Sequence, residues 1–100
     1  MSITEFDEEK NIFLKQTRGI SFEDILEAIN SGNLLDDISH PSKKYSHQRM
    51  FIVRIKMYVY AVPYVEVKKG IIFLKTLYPS RVFTKSYLKK IYGTKKANKK

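Results

Sequence analysis

Two histidines, His40 and His47, fall in one basic stretch, SHPSKKYSHQ (39–48), with Lys43 and Lys44 between them and Arg49 just beyond. Imidazole is the natural proton carrier near neutral pH, because its ordinary pKa is about 6.5. Lysine and arginine are the cations that hold phosphate, arginine through a planar fork. Lys75 and Arg81 add two further cations late in the chain. Such a set fits metal-free cleavage of RNA. That reaction needs a base for the 2′-hydroxyl proton, cations for the pentacoordinate phosphate and an acid for the leaving 5′-oxygen. On this reading His40, His47, Arg49, Lys75 and Arg81 are the candidate catalytic residues, and Lys43, Lys44 and Tyr78 the candidate RNA contacts.

Each of these residues also has a plainer reading. Taken alone, either histidine is better explained as a solvated loop residue; their joint occurrence in one basic loop is what raises the functional reading. Lys75 interrupts the apolar alternation of Phe73 and Leu77, so it marks either an exposed strand end or a cation projecting into a cleft. Arg81, after Pro79 and Ser80, suits a phosphate clamp and equally an ion pair with the acids of the N-terminal part. Tyr58, Tyr60 and Tyr64 share one strand face, where such a row is more often core than a base-stacking platform. Tyr60 is therefore assigned to structure, and Tyr64 and Tyr78 stay open. Glu66, the single acid after residue 40, reads as an ordinary ion-pair partner of a neighbouring lysine.

The charge pattern points the same way. Residues 1–40 hold nine acids and three bases, whereas residues 41–100 hold sixteen bases and one acid. Segregation on this scale predicts a basic face for a polyanion, with nucleic acid the first candidate and an acidic protein the second. No cysteine is present, which excludes disulfides and thiolate metal sites. No apolar run has the length of a membrane span and the N-terminus is acidic, so a cytoplasmic protein is expected. Nucleotide-binding glycine loops, metal-ligand clusters and serine triads have no counterpart here, and no cofactor is expected.

The elements that must position these residues follow from capping and periodicity. Asp7 with Glu8 and Glu9, then Lys15, Arg18 and Gly19, predicts a helix over 8–18. Ser21 and Asp24 have the spacing of a capping box, with Ile20 and Ile25 as a hydrophobic staple. Phe22, Ile25, Leu26 and Ile29 recur with helical period, and Gly32 stops that second helix. Residues 39–48 read as a loop, and from residue 49 the period becomes two. Three strands are predicted, the last over 71–78, with the first turn at Lys56-Met57, which lacks the usual Gly or Asn. A short helix over 84–92 and a lysine-rich tail, 94–100, complete a single domain over 1–93. The expected class is α+β, with the helices packed on one face of an antiparallel sheet: two N-terminal helices, three to four strands and a short C-terminal helix.

The run Phe6-Asp7, Lys10-Asn11, Lys15 and Gly19-Ile20-Ser21-Phe22-Glu23-Asp24 resembles the opening of BrnT-family toxins. Arg49 is similarly placed to the arginine that opens a strand in that family, and Ser80-Arg81 resembles its Ser-Ala-Arg signature. Arg18 stands where the family commonly has His, and Phe6 where it has Trp. The resemblance implies a RelE-like fold, a toxin of a type II toxin–antitoxin system that cleaves RNA, and a cognate antitoxin as protein partner. It gives functional roles to Arg49 and Arg81, with Lys75 as a basic residue ahead of the signature. The alternative is a non-catalytic basic domain that binds nucleic acid or a protein partner.

Overall fold

The computed structural model describes residues 3–89. Along the chain these are β1 (Ile3–Phe6), α1 (Glu8–Arg18), α2 (Phe22–Asn30), β2 (Leu34–Ser39), a 3₁₀ turn (Lys43–Tyr45), β3 (Arg49–Ile55), β4 (Tyr58–Lys68), β5 (Ile71–Leu74), β6 (Tyr78–Pro79) and α3 (Arg81–Phe83), which runs on into a π-helical turn at Thr84–Leu88. The class is α+β, with two helices ahead of most of the sheet and a short helix after it.

Both N-terminal helices form for local reasons. Asp7 accepts from the Glu9 and Lys10 amides, and Gly19 closes α1 in the left-handed region at φ 70°, with its N–H donating to the Lys15 carbonyl. At α2 the Ser21 hydroxyl accepts from the Asp24 amide at 3.1 Å, while the Asp24 carboxylate accepts from the Ser21 amide at 2.9 Å. One buried side chain joins the two helices. Asn11 accepts from the Phe22 amide at 2.7 Å and donates to Glu23 Oε1 at 2.8 Å. That donation, and to a lesser degree the nearby Lys15 charge, holds the Glu23 carboxyl below its ordinary 4.5.

The sheet departs from the expectation in three ways. It has six strands, in the order β1-β5-β4-β3-β2 with β6 also on β4, and it is mixed rather than antiparallel because β1 pairs with β5 in parallel. Leu34–Ser39, to which the sequence assigns no element, is an edge strand pairing with β3. The predicted third strand over 71–78 is broken: β5 and β6 lie along the same side of β4, interrupted at Lys75–Leu77. The Lys75 amide still reaches the Pro63 carbonyl at 2.8 Å across that break.

A further correction concerns the layers. On one face Val53, Val62, Tyr64 and Leu74 pack with Leu14, Phe22, Ile25 and Ala28 of α1 and α2. On the other, Met50, Ile52, Val59 and Ala61 pack with Leu88, Phe83 and Tyr87 of the C-terminal helix. The helices therefore sandwich the sheet instead of sharing a face. The C-terminal helix begins at Arg81, with the Ser80 hydroxyl accepting from the Phe83 amide, and the Thr84 hydroxyl accepts from the Val59 amide at 2.9 Å. The part of the predicted 84–92 helix beyond residue 89, and the tail 94–100, lie outside the described residues.

The two hairpins solve their turns differently. At Ile55–Tyr58, Lys56 itself adopts φ 58°, and Arg54 Nε braces it by donating to the Lys56 carbonyl at 2.8 Å. At the second turn Gly70 supplies the positive φ, and Glu66 accepts from the Gly70 amide at 3.1 Å. Glu66 thus braces a turn, where an ion pair with lysine had been expected.

Two outcomes follow. Asn11→Ala strands the buried Phe22 amide and is expected to lower unfolding free energy by about 1–3 kcal/mol in urea titration. Lys56→Gly relieves a left-handed side chain and is expected to raise it by roughly 0.5–1 kcal/mol in the same assay.

Candidate nucleic-acid interface

The nine residues between β2 and β3 cross the end of the sheet and separate the two histidines. The His40 amide donates to the Gln48 carbonyl at 3.0 Å, continuing the β2–β3 ladder by one step. Ser42 caps the 3₁₀ turn by accepting from the Lys44 amide, and the Ser42 amide in turn donates to His40 Nδ1 at 3.1 Å. Neutral His40 therefore carries its proton on Nε2, which is left for a ligand. Its ring lies 5.2 Å from that of Tyr45, and Lys44 Nζ stands 5.6 Å from the Tyr45 ring centroid.

His40 lines a hollow of ≈ 370 Å³ together with Lys10, Tyr45, Gln48, Pro63, Lys75, Thr76 and Tyr78. Register explains why these meet. Gln48, Pro63 and Tyr78 belong to the face that carries Met50 and Ala61, and Lys75 follows Leu74 of the opposite face. The break between β5 and β6 opens at that point, and Lys75 Nζ lies 5.7 Å from the Phe73 ring centroid on the same side. Lys75 is thus both an exposed residue at the end of β5 and a cation on the wall of this hollow. Burial holds the Tyr78 phenol above its ordinary value, so it stays neutral and is a poor base.

Arg49 and His47 are elsewhere. They line a second hollow of ≈ 540 Å³ with Tyr64, Val65, Glu66 and Ile72. Arg49 sits opposite Tyr64 and Ser39 on the face covered by α1 and α2. Its Nε donates to Asp37 Oδ1 at 3.1 Å and its Nη2 to the Asp37 carbonyl at 2.8 Å. Tyr64 Oη donates to the same carboxylate at 2.8 Å, while its ring stacks on Phe51 with centroids 4.0 Å apart. Arg49 is thereby tied to the edge strand, and Tyr64, 7% exposed, is structural. Desolvation, reinforced by Asp37, pushes the Tyr64 phenol up to about 12.

Arg81 is exposed at the first turn of α3 and lines neither hollow. The Ser80 amide donates to the Val59 carbonyl, whereas Arg49 pairs with Tyr64. Five residues along β4 separate those anchors, roughly 17 Å at the usual strand rise. Lys43 and Lys44 are exposed on the 3₁₀ turn beside the first hollow. Of the expected site, then, the structure brings together His40, Lys75 and Tyr78, flanked by Lys43 and Lys44, and leaves His47, Arg49 and Arg81 apart.

Five lining residues, Lys10, Tyr45, Gln48, Pro63 and Thr76, lie outside the expected site, and Lys10 and Gln48 show why. Lys10 reaches the hollow from the first turn of α1 because β1 ends beside β5, and that parallel pairing leaves no local signal. Gln48 was counted as loop. It does have a signal, since it lies two residues before Met50 and so extends an apolar strand face with a carboxamide.

No family model, curated protein or solved structure matches this chain. Among the described residues no helix is long and apolar enough to cross a membrane.

The Tyr64 phenol gives a pH prediction. A folded value raised from 10.0 to about 12 favours the neutral form in the native state, so its contribution is full below pH 10 and fades as pH rises toward 12. Stability measured by urea titration should fall across that window, and in Tyr64→Phe the fall should be shallower.

Proposed function

We propose that this protein is a toxin-type, metal-independent endoribonuclease of RelE-like ancestry, held silent by a cognate antitoxin. The observation that carries the proposal is the meeting of Lys75, His40 and Tyr78, distant in sequence, in one hollow that Lys10 also lines. The resemblance in the 6–24 block and at Ser80-Arg81 supports it independently. In this reading Lys75 and Lys10 neutralise the non-bridging oxygens of the scissile phosphate, and Lys43 and Lys44 hold the flanking chain. The 2′-oxygen attacks phosphorus and gives its proton to water, the bond to the 5′-oxygen breaks, and that oxygen takes a proton from His40, leaving a cyclic phosphate and a 5′-hydroxyl. Neutral His40 donates Nε2–H to the reacting phosphate; to act as the acid it is protonated on Nδ1 as well, which releases the Ser42 amide.

Arg49 contributes by fixing the β2 edge that carries the His40 loop, and Arg81 by outlying charge. These roles are narrower than the resemblance implies. A second reading, an RNA-binding module without turnover, is favoured by one observation. His40 Nδ1 is engaged by Ser42 and Tyr78 is a poor base, so the hollow presents donors and cations more readily than a base for the 2′-hydroxyl.

Incubating the purified chain with total RNA and a chelator separates the two. Defined fragments are expected from the native protein, and a fall of roughly a hundredfold or more in rate from Lys75→Ala and His40→Ala. Arg81→Ala should stay within a few-fold of native. Intact RNA, with saturable salt-dependent binding, would replace the enzyme by the binder.

A further inference from the structure

The hollow contains a polar group that the cleavage mechanism does not use. Gln48 is only 7% exposed, yet its carboxamide makes no hydrogen bond with any described residue, while its backbone N–H and carbonyl are both paired, to Tyr45 and His40. Among the described residues no fully enclosed side-chain nitrogen or oxygen lacks a hydrogen-bond partner. The amide of Gln48 therefore keeps its contact with solvent although the residue as a whole is buried, and the residue lines the hollow. A carboxamide with donor and acceptor both uncommitted in a confined hollow is free to pair with a ligand that presents the complementary edge.

The surroundings define that ligand. Tyr45 and Tyr78 give the hollow aromatic walls, Pro63 an apolar one, and Lys75 and Lys10 cations. Flat, heteroaromatic and attached to phosphate describes a nucleotide. In single-stranded RNA the base is free to turn out, stack on an aromatic ring and present its edge. A glutamine amide offers one donor and one acceptor side by side, the pattern that pairs bidentately with adenine through N6–H and N7. The volume, ≈ 370 Å³, lies at the small end of ligand pockets and suits one nucleotide rather than a duplex.

We infer that this hollow is a base-reading pocket for single-stranded RNA, in which Gln48 selects adenine and Tyr45 stacks on it, with Lys75 on the adjoining phosphate. The inference rests on the RNA-directed reading of the site and adds its specificity. It does not need turnover, because recognition of the base precedes any bond cleavage.

The test is binding of the full chain to four uncleavable 2′-O-methyl hexanucleotides, one of each base, by fluorescence anisotropy at fixed salt. Oligo-A is expected to bind about tenfold or more tighter than the others. Gln48→Leu, near in volume and apolar, should abolish that preference while keeping salt-dependent affinity. Tyr45→Ala, an exposed position, should weaken all four about fivefold or more without changing their order. Equal affinity for the four oligonucleotides in the native protein, or preference for another base, overturns the adenine assignment and leaves the cleavage proposal standing. Fragments of total RNA without any adenine preference in binding would have the same meaning. Tight oligo-A binding with intact total RNA would instead keep the pocket and sink the enzyme.

Discussion

Burial of β4 on both faces is the constraint from which the architecture follows. Val59 and Ala61 on one side, and Val62 and Tyr64 on the other, are all withdrawn from water. A strand of alternating polarity can leave one face wet, but this one cannot, so the sheet must be covered twice. Two helices cover one side and the C-terminal helix the other. The β5–β6 segment then has to flank β4 along its length while switching company from β1 to open edge, and it breaks where that change occurs. The candidate interface is a product of this break: the gap at Lys75–Leu77 is where backbone pairing relaxes enough for a hollow to form.

Electrostatics in space differs from electrostatics along the chain. The acidic and basic parts of the sequence meet at one edge of the sheet. Asp37 comes from the first and Arg49 and Tyr64 from the second, and the three form one hydrogen-bonded cluster at the sheet edge. Arg49 is held still more firmly in its charged form by that company, hydrogen bonding to Asp37 first. A cation with its fork occupied this way orients a strand better than it grips a substrate. Lys75 forms no ion pair among the described residues; its ammonium stands 5.7 Å from the Phe73 ring centroid, a weak contact that a phosphate can outcompete.

Helices were legible because their signals are local. Asp7, Gly19, Ser21 and Asp24 name their own roles within three or four residues, and all four act as their spacing foretold. β3 and β4 were legible through alternation. What escaped depends on partners distant in sequence. Ile3–Phe6 has only four residues and becomes a strand because β5 is there to receive it. Leu34–Ser39 is interrupted by Asp36 and Asp37, which hide its strand character until their partners Tyr87 and Tyr64 are known. Strand faces were assigned correctly for the tyrosines, but nothing local says on which face of the sheet the C-terminal helix will lie. The candidate site shared that fate. His40, Lys75 and Tyr78 were recognisable by residue type, and their separation from Arg49 and Arg81 is a matter of strand register that composition does not carry.

The parallel pairing of Ile3 with Ile71 has a consequence for biosynthesis. A ribosome delivers the first strand long before the one that receives it, so the N-terminal segment must wait, unpaired, until nearly the whole domain has emerged. Contacts of such wide sequence separation form late. The α1–α2 pair, complete within thirty residues and stapled by Asn11, can gather first and keep its apolar stripe shielded only in part. Lys10, which follows β1 by four residues, joins the wall of the hollow together with residues more than sixty positions further on, so the interface is assembled late.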